Sequence, residues 1–425
     1  MKSTEPAQAK PRRAALAFIF ITVTLDMLAL GMVVPVLPKL VEDFLHGDTA
    51  RAAEYVGLFA TVWAAMQFLF SPVLGTASDR FGRRPIILMS NLGLGLDYIV
   101  MALAPSLWWL FAGRVVSGIT SASFSAASAY IADVTPPDRR AGGYGMISAA
   151  FGLGFVLGPA LGGVFGNSNP RLPFWIAAGL SLLNAMYGLL VLPESLPCDR
   201  REAFNWRRAN PLGSIKLLRS HAELLSLSSV SFLTSVAHEA LPTTFVLYAM
   251  YRYGWNERIV GLAIASVGAC SALVGAGMVQ PLVTRLGDRR VMLAGMLFNL
   301  AGFLIYGLAG TGLMFWTGIP IGCLGGLSNP PMQSLMTRRV KATEQGQLQG
   351  ALSSLRAIAF MIGPIIFTAT FASFIGPHRD WRLPGAPYLL AGLIVMLSTI
   401  IAWRATSSGT DIEIITSPQP AEAAE

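Results

Sequence analysis

The sequence predicts an all-α membrane protein of twelve transmembrane helices arranged as two six-helix pseudo-repeats. Three observations predict it. The 425 residues are 53% hydrophobic and only 13% charged, with a mean hydropathy of +0.56, which leaves too little polar surface for a water-soluble globule. Twelve apolar runs reach the roughly 20 residues that a helix rising about 1.5 Å per residue needs to cross about 30 Å of hydrocarbon. Two patterns recur at one offset of 205 residues: Gly82-Arg83-Arg84 is answered by Gly287-Asp288-Arg289, and a run ending Gly158-Pro159 by one ending Gly363-Pro364. A shared offset is the mark of a duplicated unit.

The runs lie near 15–38, 55–74, 85–104, 108–132, 142–166 and 173–192 in the first half. Those of the second half lie near 223–249, 258–283, 291–309, 313–337, 346–373 and 387–404. Residues 1–192 and 223–404 are then the two six-helix halves, 193–222 a basic linker between them, and 405–425, ending in SPQPAEAAE, a disordered polar tail. With both termini on the cytoplasmic side, Lys and Arg favour that side by about three to one, as orientation by basic residues requires. Lys2, Lys10, Arg12 and Arg13 precede an apolar run too long for a signal peptide and without a small-residue cleavage site, so the first run is expected to remain as an anchor. The formal charge of +8 sits in the connections, where it reports topology and not a nucleic-acid footprint. The scattered Cys198, Cys270 and Cys323 form neither a disulfide framework nor a metal spacing.

Between the second and third runs stands GTASDRFGRR, residues 75–84. Gly75, Asp79, Arg80, Gly82, Arg83 and Arg84 cannot sit in hydrocarbon, so this stretch is expected to be a tight aqueous turn, with both glycines permitting close packing and sharp bending. Asp79 and Arg83 are placed to pair with a helix terminus or a neighbouring charge. Asp133, ending the fourth run in IADVTPPDRR, is the candidate partner for Arg83. In the second copy Thr284 stands where the first has Asp79.

A charged group within a span costs around 2.5–3.5 kcal/mol at the helix centre, so each one requires an explanation. Asp26 in the first span and Asp97 in the third have no cation beside them in sequence. Desolvation disfavours the charged form of a carboxyl group, so both are candidate proton carriers, with snorkelling or permanent pairing to Arg114 as the structural alternative. In the fourth span Arg114, Gly118, Ser121, Ser125 and Ser128 recur every three or four residues and share one helical face. That face suits a water-filled cavity wall or close helix packing. Gly154, Gly158, Pro159, Gly162 and Gly163 leave one face of the fifth span without side chains, again a close-packing surface.

The 75–84 decapeptide resembles the loop signature of the major facilitator superfamily, and the glycine-proline pattern of the fifth span resembles the superfamily's antiporter signature, thought to pack at the interface between halves. The resemblance narrows along the whole chain. LDMLALGMVVPVLPKL, SPVLGTASDRFGRRPIIL, LGLDYIVMAL, GRVVSGITSAS, IADVTPPDRR, FGLGFVLGPALGG, LPESL, GQLQGALSSL and GPIIFTA, in this order, resemble the tetracycline efflux family of drug:proton antiporters. The resemblance implies two halves around a central cavity, alternating access and efflux of a tetracycline-like amphiphile. It implies protons as the coupling ion, no organic cofactor, and a substrate that can travel as a metal chelate. Residue by residue it places the coupling acids at Asp26 and Asp97, the span 4 arginine at Arg114, the loop charges at Asp79, Arg80, Arg83 and Arg84, and cavity-lining amides at Gln67 and Gln333.

The departures fall in the second half. The family's acid of span 9 is replaced by Asn299, an uncharged position of span 11 is Arg356, and span 7 carries His238 and Glu239. One reading moves the coupling acid to Glu239 and balances it with Arg356 across the cavity; the other places His238 and Glu239 near the outer surface and Arg356 in a cytoplasmic vestibule. No nucleotide loop, metal cluster or nucleophile constellation is present in the sequence, which disfavours an enzyme. The expected partners are a small amphiphilic substrate and the lipid bilayer, with no nucleic acid, for a monomer in a bacterial inner membrane. An exporter or facilitator of another metabolite, and a non-transporting sensor on the same fold, are the alternatives.

Overall fold

Hydrocarbon offers a peptide group no hydrogen-bond partner, so each apolar run must close its own ladder as a helix. The computed structural model describes residues 9–121, 123–135, 140–197, 201, 222–340 and 345–407, and among them it contains no strand. Most of the 193–222 linker, Cys198 and most of the 405–425 tail lie outside the described residues.

The first half comprises α1 (Ala9–Val33), α2 (Leu37–Phe44), α3 (Thr49–Phe81), α4 (Arg83–Leu103), α5 (Leu107–Thr120), α6 (Ser123–Val134), α7 (Arg140–Ser168) and α8 (Leu172–Val191). The second comprises α9 (Ala222–His238), α10 (Ala240–Tyr253), α11 (Glu257–Leu273), α12 (Val279–Leu286), α13 (Asp288–Leu308), α14 (Gly312–Cys323), α15 (Asn329–Thr337), α16 (Gln345–Ile375) and α17 (Ala386–Ser407). Ten helical stretches among the described residues are long and apolar enough to cross a membrane. The expected spans 4 and 10 are each divided into shorter helices, α5 with α6 and α14 with α15, and so fall below that length.

Division is systematic. Span 1 breaks between α1 and α2 at Pro35, whose missing N–H removes a ladder bond. Span 4 breaks at Ser121, span 7 at Glu239 between α9 and α10, and span 10 through a 3₁₀ stretch, Leu324–Ser328. The first and fourth helices of both halves are thus interrupted. Span 8 has a π-helical turn at Val274–Met278 between α11 and α12.

Burial shows how the halves meet. At the end remote from the 75–84 loop, one continuous apolar core joins both halves, including Val36, Phe59 and Phe174 from the first and Tyr248, Phe315 and Phe371 from the second. At the loop end the core divides, one cluster around Phe18, Ile87 and Tyr130 and another around Leu227, Met296 and Leu348. The seam at the far end is made of small residues. Gly163 lies against Gly261 and the Glu257 carbonyl, Gly261 against the Pro159 carbonyl, and Gly57 against Thr368. Thr61 donates to the Met361 carbonyl at 2.9 Å. Towards the loop end the side-chain positions of Gly145 and Gly152 of α7 and of Gly275 and Gly277 of span 8 face open space, with no atom of another helix among the described residues within 4 Å of where a Cβ would stand. The halves are therefore joined at the far end and splayed at the loop end.

Candidate functional site

The loop at residues 75–84 is mostly helix. α3 continues through Gly75 to Phe81, and the space beside Gly75 is open, so the expected role of Gly75 in close packing is not seen. The turn is made by Gly82 alone, at φ +106°, a value that favours glycine. Its missing Cβ also admits the Glu194 carboxylate. That carboxylate accepts the first two N–H groups of α4, from Arg83 at 2.8 Å and Arg84 at 3.3 Å, and so caps a helix that begins unfavourably with two cations at its positive end. Arg83 bridges Asp79 at 2.5 Å and Asp133 at 3.1 Å, tying α3 and α4 to α6. Arg84 donates to the Leu189 carbonyl at 2.6 Å, and Arg80 lies over the Phe81 ring.

The second half repeats this clamp with its charges exchanged. At the same 205-residue offset, Arg83 corresponds to Asp288 and Asp133 to Arg338. Arg338 bridges Asp288 at 2.8 Å, and Ser334 Oγ donates to the same carboxylate at 3.1 Å. Asp288 opens α13 after Gly287, φ +79°, where an acid favours the helix dipole and no external cap of the Glu194 kind is required.

Inside the first half, Asp97 and Arg114 form a buried ion pair at 3.0 Å, with side chains 0% and 8% exposed. Arg114 therefore leaves the small-residue face it shares in sequence. On that face Gly118 packs against Trp63 and Met66 of α3, and Ser121 accepts a hydrogen bond from Gln67 at 3.0 Å, bracing the break in span 4. Asp26 lies between spans 1, 3 and 6. Asn184 Nδ2 donates to its carboxylate at 2.9 Å and to the Thr22 carbonyl at 3.0 Å, and the Asn91 amide, turned to satisfy its neighbours, donates at 3.2 Å. An analogous junction joins spans 7 and 12, without charge: Ser398 Oγ donates to the Val230 carbonyl at 3.2 Å and meets Thr234 Oγ1 at 3.1 Å. A span 6-type helix thus contacts a carbonyl and the side chain four residues later in both halves, and only the first half has a carboxyl group there.

The glycines of span 5 divide between two partners. Gly154, Gly158 and Gly162, four residues apart, pack against Met27, Leu28, Gly31 and Met32 of α1, inside the first half. Gly163 and the Pro159 carbonyl reach the second half. The expected interface role belongs to these two positions, because a stripe four residues apart faces one helix only.

A cavity of about 470 Å³ opens within the second half among spans 7 to 11. Asn299, Gln333 and Arg356 line it; His238, which sequence reasoning noted without assigning it a role, lines it too. The 3₁₀ stretch of span 10 makes room, since Gly325 rests directly on the Asn299 side chain. Gln333 donates to Gln349 at 3.2 Å. His238, Asn299 and Arg356 make no side-chain hydrogen bond or ion pair among the described residues. Glu239 is not part of the lining: it is turned against Gly363 of α16, and no ion pair joins it to Arg356. The cavity therefore brings Arg356 together with His238 and Asn299. Gln67 and Ser121 meet across spans 2 and 4, while Asp26, Asp97 and Arg114 are held in the interior of the first half.

Comparison with known proteins agrees with this architecture. The model of a family described as the Major Facilitator Superfamily matches residues 19–364 and 272–419. The class C tetracycline resistance protein of Escherichia coli is 39% identical over 381 residues, covering 88% of this chain and 95% of that protein. The class D protein of Salmonella ordonez is 33% identical over 399 residues, covering 93% and 99%. Among solved structures, an inward-facing, occupied bacterial homolog of the human lysosomal transporter Spinster superposes with a TM-score of 0.78 at 18% identity, over 94% of this chain and 98% of that one. This chain belongs to the Major Facilitator Superfamily and, within it, to the family of the tetracycline resistance proteins.

Proposed function

We infer that this protein exports a tetracycline-like or other amphiphilic drug across the bacterial inner membrane, in exchange for protons and by alternating access. The observation that carries the reading is the cavity of the second half, where His238, Asn299 and Arg356 make no side-chain hydrogen bond or ion pair among the described residues, in a molecule splayed at the loop end and joined at the far end. With the loop end in the cytoplasm, this is the state that admits a substrate from inside. Two halves rocking about a midplane site move it outward.

Proton coupling falls to Asp26 and Asp97. Protonation must favour one facing state over the other, since an ion bound equally by both shifts nothing. Both acids are locked to partners on neighbouring spans, so gaining a proton loosens Asp26 from Asn184 and Asp97 from Arg114. The clamps at Arg83 and Asp288 hold the loop-end helices within each half. A metal ion accompanying the drug would be cargo.

The test is uptake of labelled tetracycline into inside-out vesicles under an imposed pH gradient, with the native chain, Asp26→Asn and Asp97→Asn. Gradient-driven accumulation by the native chain, lost in both variants, is the expected result. No accumulation by the native chain removes tetracycline as substrate, and accumulation indifferent to the gradient replaces the exchanger with a facilitator.

A further inference from the structure

We propose that the cavity of the second half is a site for organic anions, with Arg356 receiving the anionic oxygens, His238 and Asn299 supplying hydrogen bonds, and Phe303, Met332 and Phe360 flanking the apolar body. The proposal rests on the cavity belonging to the transport path and gives its ligand a charge. No carboxylate lines the cavity among the described residues, while the Arg356 guanidinium does. The acid adjacent in sequence, Glu239, is directed at Gly363.

The unpartnered state of Arg356 is the central point. A cation within a span is costly, and proteins ordinarily meet that cost with a counter-charge. The first half does so: Arg114 is closed onto Asp97 at 3.0 Å. The second half lacks that solution, and Arg356 is open to the cavity with no ion pair among the described residues. A guanidinium presents a planar fork that matches a carboxylate, sulfonate or ionised diketone in two parallel hydrogen bonds. His238 lines the same cavity, and its ring adds a hydrogen-bonding group beside the guanidinium. Asn299, held over Gly325 with its amide unbonded, adds a neutral donor and acceptor. The volume of about 470 Å³ accommodates a molecule of three or four fused rings.

Two xanthene dyes of one shape and opposite charge test the sign: fluorescein, an anion, and rhodamine 123, a cation. Binding to the purified full chain in a neutral detergent is read by fluorescence polarisation, for the native protein and for Arg356→Gln, Arg356→Lys and His238→Asn. The native protein is expected to bind fluorescein more tightly than rhodamine 123. Arg356→Gln should weaken fluorescein about tenfold or more, the scale of one charge-assisted hydrogen bond, and erase the preference between the dyes. Arg356→Lys, which keeps the charge and loses the fork, should fall between the two, and that graded rescue separates ligand binding from misfolding. Native preference for rhodamine 123, no fluorescein binding, or unchanged fluorescein affinity in Arg356→Gln overturns the proposal. Loss of fluorescein to added phosphatidylglycerol but not to phosphatidylcholine reassigns the site to a lipid headgroup and overturns it as well. Dye selectivity is measured without a gradient and without tetracycline, so failure of the vesicle assay leaves it standing, and its own failure leaves drug export untouched.

Discussion

Removing one member of the Asp97–Arg114 pair should cost more than removing both. The two side chains are 0% and 8% exposed, and the pair is imperfectly satisfied: among the described residues Asp97 Oδ1 and Arg114 Nε have no hydrogen-bond partner. Asp97→Asn leaves a guanidinium buried without a counter-charge, and Arg114→Gln leaves a bare carboxylate. Each should cost about 3–5 kcal/mol, as broken buried pairs do. In Asp97→Asn/Arg114→Gln two neutral amides face each other, no charge is buried, and the remaining loss is one charge-assisted hydrogen bond exchanged for a neutral one, about 1 kcal/mol. The double variant is therefore expected to be more stable than either single one. Unfolding of the purified chain in mixed micelles, followed by tryptophan fluorescence as the denaturing detergent fraction rises, gives the four free energies of the cycle. A double variant that loses the sum of the two single losses shows no coupling, and the ion pair would then be no more than a crossing of side chains.

Charge exchange should rescue each loop-end clamp. Arg83→Asp and Asp133→Arg are each expected to lower vesicle transport, with the double exchange recovering most of it; Asp288→Arg with Arg338→Asp should behave likewise, and failure of both rescues would show that position and not sign matters. Leucine at Gly163 is expected to hold the far ends of α7 and α11 apart, because a Cβ there already meets the Glu257 carbonyl; labelling of a cysteine at Thr61 by an impermeant maleimide should rise, and unchanged labelling would refute the seam as a closure. Asn184→Leu takes a donor from Asp26 and should cost about 1–3 kcal/mol, whereas Ser398→Ala at the uncharged counterpart should cost nearer 1 kcal/mol. Equal losses in the same unfolding assay would deny the first junction any charge-dependent strength.

The span pattern was legible because it depends on composition alone: a run of apolar residues must be helical in lipid wherever it packs. The clamp Arg83–Asp133 was legible for a related reason, since Arg83 begins one helix and Asp133 nearly ends another on the same side. What pairs across sequence was harder to read. Asn91 and Asn184 are single amides in apolar runs, and only the rule that a polar group in a span needs a partner marks them as companions of Asp26. Glu194 looked like linker, although the first N–H groups of α4, from Arg83 and Arg84, call for an acceptor and Gly82 leaves room for it. The exchange of Arg83 and Asp133 for Asp288 and Arg338 was present at the 205-residue offset, but a search for identical residues passes over reversed signs. Of the two readings, one set Glu239 across the cavity from Arg356 and the other set His238 near the outer surface; the break at the end of α9 brings His238 and not Glu239 to the cavity, and no periodicity argument carries across a break.

The interruptions have a mechanical consequence. A continuous helix is a stiff rod, and pushing one end displaces the other. In spans 1, 4, 7 and 10 that rod is jointed, at Pro35, Ser121, Glu239 and Leu324–Ser328. Spans 3, 6, 9 and 12, α4, α8, α13 and α17, remain whole. Each half is thus a rigid outer frame holding two jointed levers. The outer and inner segments of the levers can tilt independently, so the far-end seam can part without first dismantling the Arg83 and Asp288 clamps. Opening one mouth and closing the other become small bends at these joints, not one large rotation of the bundle.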